Sequence, residues 1–302
     1  MYRVKINNRQ KCALGELENI LDEVKIFIDS KEKLFTLEKV EQKSEPIKNE
    51  GNYTQYNVSM EEYVNMQVSK TPKYNYGELE KYINPSKIDN DYQHLLLNRY
   101  REVDKNKLKE YLKGKGVLEG QEDNIIKACK KYNIDVVYFL VQSILETGHG
   151  KSKLAMGNKV SEIADENSPI LNGKGEVIGY NMINLGKTVT VYNLYGIGAK
   201  DGSKVFKDRA LILGIATAYN KGWTSIEKAI EGAAEFVSSN YIHSSKFNQN
   251  TIYKYRFNPV IDYMWHQYST TNDYASKIAN LMKEIEYLWM AKPEGYDYPK
   301  YK

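Results

Sequence analysis

The sequence predicts an α+β fold, mainly helical, with one small antiparallel β flap. Three observations carry that expectation. Apolar residues recur at helical spacing along most of the chain, strand-like alternation takes over in one central stretch, and no period of roughly twenty to fifty residues repeats, which excludes a solenoid. At 302 residues, with 41% hydrophobic and 27% charged side chains, the chain can bury a large core and still carry a smaller appendage. No apolar run of about eighteen residues suggests a membrane span. The formal charge of +4 is mild and the lysines alternate with acids, so a nucleic-acid groove is not expected, although an anionic polymer would be favoured slightly.

Residues 1–42 read as a small unit, in which "YRVKIN" is strand-like and Leu14, Leu17, Ile20, Leu21 and Val24 recur at helical spacing. Residues 43–52 are polar, charged and broken by Pro46 and Gly51, the pattern of a linker. A main domain is expected over 53–290, followed by a C-terminal tail, 291–302. The main domain starts with a capping box, "SMEE" at Ser59–Glu62, where the serine oxygen and the Glu62 carboxylate each satisfy a free N–H at a helix start. Asp104 caps "KNKLKEYLKG", which Gly114 can end in a left-handed conformation. Next, "EDNIIKACKKYN" puts Ile125, Ile126 and Cys129 on one helical face. Asp135 then caps "VVYFLVQSILE", a helix with almost no polar face that must be buried nearly all round.

Periodicity changes after this helix. An Asn-Gly turn signal and the alternating "KTVTV" predict a hairpin or three-stranded flap over residues 169–193. Helices return with "DRALILGIATAYNKG", with "TSIEKAIEGAAEFVSSNY" behind a second capping box from Thr224 to Glu227, and with "NDYASKIANLMKEIEYLW". Cys12 and Cys129 are far apart, and His94, His149, His243 and His266 show no paired spacing, so neither a metal nor a disulfide is expected. The 26 tyrosines against 7 phenylalanines suit half-exposed surfaces, whether as amphipathic core-edge residues or as platforms for sugar rings.

One acid stands apart. Glu146 closes the apolar helix two residues before Gly148, with Asp135 and Glu162 the nearest acids in sequence. Desolvation and the negative end of the helix dipole both disfavour its charged form, so both raise its pKa. A carboxyl protonated near neutral pH can serve as a general acid. The alternative is a solvated helix-terminal glutamate or a member of a structural network.

Four motifs then carry a resemblance: "ETGHGKSKLA" at Glu146–Ala155, "YNLYGIGAKD" at Tyr192–Asp201, "QNTIYKYRFNP" at Gln249–Pro259 and "HQY" at His266–Tyr268. In order and spacing they resemble the peptidoglycan N-acetylglucosaminidases of glycoside hydrolase family 73, and "YLKGKGVLEGQ" looks like that family's lead-in helix. The likeness covers residues 53 to about 290. It implies a lysozyme-like fold with a cleft between a helical lobe and the β flap. The implied reaction is hydrolysis of the β-1,4 bond following N-acetylglucosamine in peptidoglycan glycan strands, by a monomer without cofactor. It further implies a secreted or wall-associated protein, although "MYRVKINNRQ" has no apolar segment of a secretory signal.

By the same resemblance Glu146 matches the family's catalytic glutamate. Tyr195 lies in a motif that lines the cleft, and His266, Gln267 and Tyr268 lie in one beside the active site. Asn250 and Arg256 belong to the third motif, as sugar contacts or as support. The second catalytic group stays open. Glycosidases pair the acid with a second carboxylate, about 5 Å away for retention and about 6.5–9.5 Å for inversion. Other branches of the family place a second glutamate on a hairpin after the "NLYG"-type motif; here the hairpin precedes it. Candidates are Glu162, Asp165, Glu166, Glu176 and Asp201, while a substrate-assisted route would need only a group such as Tyr268 to orient the N-acetyl amide. A muramidase or lytic transglycosylase on a similar fold, and a non-catalytic wall-binding module, are the competing functions.

Overall fold

The computed structural model describes residues 3–6, 9–12, 24–28 and 35–39, and then residues 51–302. Two compact units divide the chain, Met1–Lys48 and Asn49–Lys302. The first holds a four-stranded sheet of β1 (Arg3–Ile6), β2 (Arg9–Cys12), β3 (Val24–Ile28) and β4 (Phe35–Lys39) in the order β2-β1-β3-β4. β1 runs antiparallel to β2 and parallel to β3, and β3 runs antiparallel to β4. The helical spacing expected over Leu14–Leu21 lies outside the described residues; Val24, the last of that series, opens β3.

In the second unit β5 (Asn52–Gln55) is followed by α1 (Met60–Lys70), α2 (Tyr76–Ile83) and α3 (Lys105–Leu112). The Ser59–Glu62 capping box forms, with both reciprocal bonds made, and Asp104 accepts from the backbone of Asn106 and Lys107. α4 (Glu122–Lys131) leads into α5 (Val136–Glu146), whose residues from Val136 to Ile144 are all buried. Asp135 anchors the start of α5. One of its oxygens accepts from the Tyr138 backbone at 2.8 Å. The other takes the Arg101 guanidinium at 2.9 Å and the Trp289 indole at 3.1 Å. Around α5 the main core draws on α4 and on Trp223, Ile230, Ala233, Ile278 and Met282.

β6 (Asn158–Leu171) and β7 (Val177–Val191) make a two-stranded antiparallel hairpin, so the β element starts eleven residues before the expected 169 and has no third strand. Acids and register shifts between Val160 and Glu162, Ala164 and Pro169, and Ile170 and Leu171 break the alternation there, which hides the first half of the hairpin from a period-two reading. The Asn172-Gly173 turn does form, Asn172 Oδ1 accepting from the backbone of Lys174 and Glu176. Ile163, Ala164 and Tyr180 pack the hairpin onto Leu213 and Ala216 of α6 (Arg209–Asn220).

α7 (Ile226–Val237) begins behind Ser225, not behind the expected Thr224–Glu227 box. Ser225 is equally suited to cap, and Glu227 instead reaches Lys127 on α4 at 2.8 Å. A wide π turn, Ser238–Ile242, extends α7, and α8 (Ile252–Arg256) and α9 (Tyr274–Glu284) follow. The chain ends with β8 (Asp297–Lys300), which pairs parallel to β5 with Asn52 opposite Asp297. Residues 291–302 are therefore part of the packed unit and not a tail. A parallel partner more than two hundred residues away leaves no local signal in "YDYPKYK". Among the described residues, no helix is long and apolar enough to cross a membrane.

Candidate active site

The turn after α5 sets where Glu146 points. Thr147 closes the helix, its backbone N–H donating to Ser143 O at 3.1 Å and its hydroxyl to the same oxygen at 2.6 Å. Gly148, His149 and Gly150 then take positive φ in succession, 53°, 59° and 75°. Gly150 lies against a neighbouring backbone: a Cβ there would sit 1.9 Å from Lys115 O, while Gly150 O accepts from Val117 N at 3.1 Å. Gly150→Ala is expected to cost at least ~2 kcal/mol in unfolding free energy, read from a urea transition, because left-handed strain adds to a clash that only backbone movement relieves.

Glu146 is half-buried beside a pocket of 320 Å³ whose lining includes Lys153, Leu154, Leu194, Tyr195 and Leu211. The two ends of the hairpin frame this pocket, since Leu154 precedes β6 and Leu194 and Tyr195 follow β7. Glu146 Oε1 accepts from Gln142 Nε2 at 2.7 Å and from the Tyr268 hydroxyl at 2.8 Å. The Tyr274 hydroxyl in turn donates to Gln142 Oε1 at 2.8 Å. Burial raises the Glu146 pKa above the ordinary glutamate value, and the two hydrogen bonds oppose that rise without cancelling it. Tyr268 is held in a stack, 5.5 Å from the Tyr255 ring and 5.6 Å from the Tyr274 ring, with planes within 20°. Tyr241, delivered by the π turn, lies 5.2 Å from Tyr268.

Residues 122–287, more than half of the chain, match the glucosaminidase family, described as mannosyl-glycoprotein endo-beta-N-acetylglucosaminidase. The chain belongs to the glucosaminidase family. A bifunctional autolysin of Staphylococcus epidermidis is 35% identical over 216 residues, covering 70% of this chain and 14% of the relative. A beta-N-acetylglucosaminidase of Bacillus subtilis (strain 168) is 32% identical over 230 residues, covering 74% of this chain and 22% of the relative. The chain thus matches only a small part of these longer proteins. Among solved structures, a catalytic mutant of S. aureus autolysin E in complex with the disaccharide NAG-NAM is 28% identical with a TM-score of 0.59. That match covers 82% of this chain and 99% of the other. S. aureus glucosaminidase B is 26% identical with a TM-score of 0.58, covering 85% and 95%. The fold is the mainly helical, lysozyme-like α+β arrangement with a small β hairpin that the motifs implied.

In this member of the family the other expected site residues separate into two groups. Tyr195 and Tyr268 join Glu146: Tyr195 lines the pocket, its hydroxyl 2.9 Å from that of Ser143, and Tyr268 bonds the carboxylate directly. The rest bond to residues outside the pocket lining. Arg256, expected as a possible sugar contact, is fully buried, donating to Thr271 O at 2.8 Å and to Gln67 Oε1 at 3.2 Å, so no sugar can reach it. Asn250 Oδ1 accepts from the buried Lys254 ammonium at 2.9 Å. Gln267 donates to Gln67 Oε1 and to Met264 O, at 3.2 and 3.0 Å. His266 stacks on Phe247 at 3.6 Å and bonds Gln249 Oε1 at 2.6 Å, while burial and the nearby Lys246 hold its pKa down.

None of the candidate second acids bonds to Glu146, and among the described residues no carboxylate contributes to its shift. Asp201 and Glu162 are exposed. Asp165 accepts from Asn167 N at 3.0 Å, Glu166 from the Thr217 hydroxyl at 3.3 Å, and Glu176 from Asn172 in the hairpin turn at 2.8 Å. Sequence reasoning missed Gln142, Tyr241 and Tyr274. Only Gln142 had a readable signal, lying four residues before Glu146 on the same helical face. Among the described residues, no cluster of three or more His, Cys, Asp or Glu could hold a metal ion.

Proposed function

We propose that this chain is a peptidoglycan hydrolase that cleaves the β-1,4 bond after N-acetylglucosamine in bacterial wall glycan, with Glu146 as the general acid. The observation that carries this reading is a half-buried carboxyl of raised pKa, hydrogen-bonded by Tyr268, at the edge of a pocket framed by the hairpin ends. Cleavage of a glycosidic bond places negative charge on the departing oxygen, and a carboxyl whose raised pKa favours the protonated form neutralises it as the bond breaks. The relative solved with NAG-NAM supports a wall disaccharide as the occupant of this pocket. Such a substrate puts the protein at the cell wall, outside the membrane, and a single chain supplies every group named here.

For the second step, what supports substrate assistance or inversion over a retaining carboxylate pair is the environment of Glu146. An ionised carboxylate about 5 Å away would raise its pKa by like-charge repulsion, and burial accounts for the shift without one. In the substrate-assisted route the N-acetyl carbonyl closes on the anomeric carbon, and a hydroxyl such as that of Tyr268 orients the amide.

Analysis of reducing ends after digestion of purified wall tests the bond assignment. N-acetylglucosamine at the new ends is the expected result; muramic acid or its anhydro form would indicate a muramidase or lytic transglycosylase, and binding without soluble fragments would indicate a wall-binding module. Tyr268→Phe should lower kcat roughly 10- to 100-fold, the worth of a hydrogen bond to a charged group. It should also shift the basic limb of the kcat/KM profile to higher pH, because the lost hydroxyl favours the ionised carboxylate.

A further inference from the structure

Both donors that reach Glu146 end on the same oxygen. Gln142 Nε2 and the Tyr268 hydroxyl converge on Oε1, at 2.7 and 2.8 Å. Two in-plane lone pairs are all that a carboxyl oxygen offers. A proton placed on Oε1 would displace one of these donors, so the acid proton belongs on Oε2. The orientation of the Gln142 amide follows from its other end, where the Tyr274 hydroxyl donates to Oε1 of that side chain at 2.8 Å and leaves the NH2 group to face Glu146. Gln142 is itself buried, 1% exposed, on the turn of α5 directly before Glu146, and Tyr274 belongs to the same aromatic stack as Tyr268.

We infer that Gln142, oriented by Tyr274, is a positioning residue that fixes the Glu146 carboxyl plane and confines its transferable proton to Oε2, the oxygen presented to the glycosidic bond. This inference rests on the general-acid role of Glu146. The groups that face Glu146 from the surrounding elements are Tyr195 after β7, Tyr241 on the π turn, Tyr268 after α8, Tyr274 on α9 and Lys153, which lines the same pocket. Burial pushes all four tyrosines above their ordinary value, so none of them titrates in the range of a carboxyl. A moved acid limb or basic limb therefore reports the carboxyl itself.

The test is Gln142→Met, which keeps length and burial, beside Tyr274→Phe. Gln142→Met should lower kcat roughly 10- to 100-fold with KM unchanged, since a misoriented acid costs rate while the pocket lining is untouched. The basic limb of kcat/KM should move to higher pH, and the Glu146 carboxyl, assigned in a 13C-glutamate NMR titration by its absence from E146Q, should move the same way. Tyr274→Phe should act in the same direction with smaller size, and should add little on top of Gln142→Met. Unchanged titration in both variants would overturn the inference. So would a downward shift, which would mean that the amide presents its carbonyl and accepts the acid proton. A wild-type protein that cleaves no glycan would overturn the glycosidase reading instead, and the carboxyl titration would still decide whether Gln142 anchors Glu146.

Discussion

Glu146→Gln is expected to lower glycan hydrolysis by roughly 10²–10⁴-fold, the usual contribution of general acid catalysis, and to leave the protein more stable than the wild type at neutral pH. The first effect follows because glutamine cannot give a proton to the departing sugar oxygen. The second follows from linkage. The folded chain binds the Glu146 proton more tightly than the unfolded chain does, since burial raises the carboxyl's pKa. That preference contributes stability below the ordinary glutamate range and is lost as pH rises through the folded-state value. Above the ordinary glutamate range ionisation stabilises the unfolded wild type more than the folded one, an effect that the variant lacks, whereas in acid both side chains are neutral and the difference closes. Turbidity clearing of wall suspensions reads the activity, and urea unfolding at acidic and neutral pH reads the stability. Wild-type lysis by the variant, or a variant less stable at neutral pH, would refute the assignment of Glu146 as a buried acid.

Asp297→Ala should destabilise the second unit by about 3–5 kcal/mol, the range for breaking a buried ion pair from one side. Lys254 is 1% exposed and its ammonium meets Asp297 Oδ2 at 2.6 Å, while Asp297 Oδ1 accepts from the Thr54 hydroxyl at 2.6 Å. Burial already holds the Lys254 pKa below its ordinary value, so an ammonium left with Asn250 alone is poorly solvated. The same carboxylate ties α8 to β8 and β8 to β5. The paired replacement Lys254→Met with Asp297→Leu should recover most of the loss, because an apolar pair leaves no stranded charge. Denaturation midpoints of the single and double variants measure both statements; a loss under about 1 kcal/mol for Asp297→Ala would show that water reaches the pair. Tyr255, the neighbour of Lys254 on α8, stacks on Tyr268, whose hydroxyl bonds Glu146.

Local signals were legible wherever the physics is local. Ser59 with Glu62, Asp104 and Asp135 cap helices as their side chains suggest, because a capping oxygen meets N–H groups only two or three residues ahead. The apolar run from Val136 to Ile144 is buried as its composition demands. The hairpin was half visible. Its turn and the alternating end of β7 could be read, but register shifts on both strands interrupt the pattern on which a strand assignment rests. At the site, Glu146 could be singled out because its helix and its glycine stop are adjacent in sequence, and of the residues around it only Gln142 lies on that same helix.

What the chain's order of residues determined was the inventory: a mainly helical α+β protein, a carboxyl at the end of a greasy helix, and motifs sufficient to place it in a family. What only folding decided was which of those residues meet. Tyr268 reaches Glu146 across 122 positions and Tyr274 reaches Gln142 across 132. Arg256, chemically as plausible a sugar ligand as any, turns inward to Gln67 and Thr271. Helix periodicity and capping are written within a few residues, so they survive without the rest of the molecule. Hydrogen-bond direction, burial and the resulting proton affinity depend on packing between distant segments, and no local pattern encodes that packing.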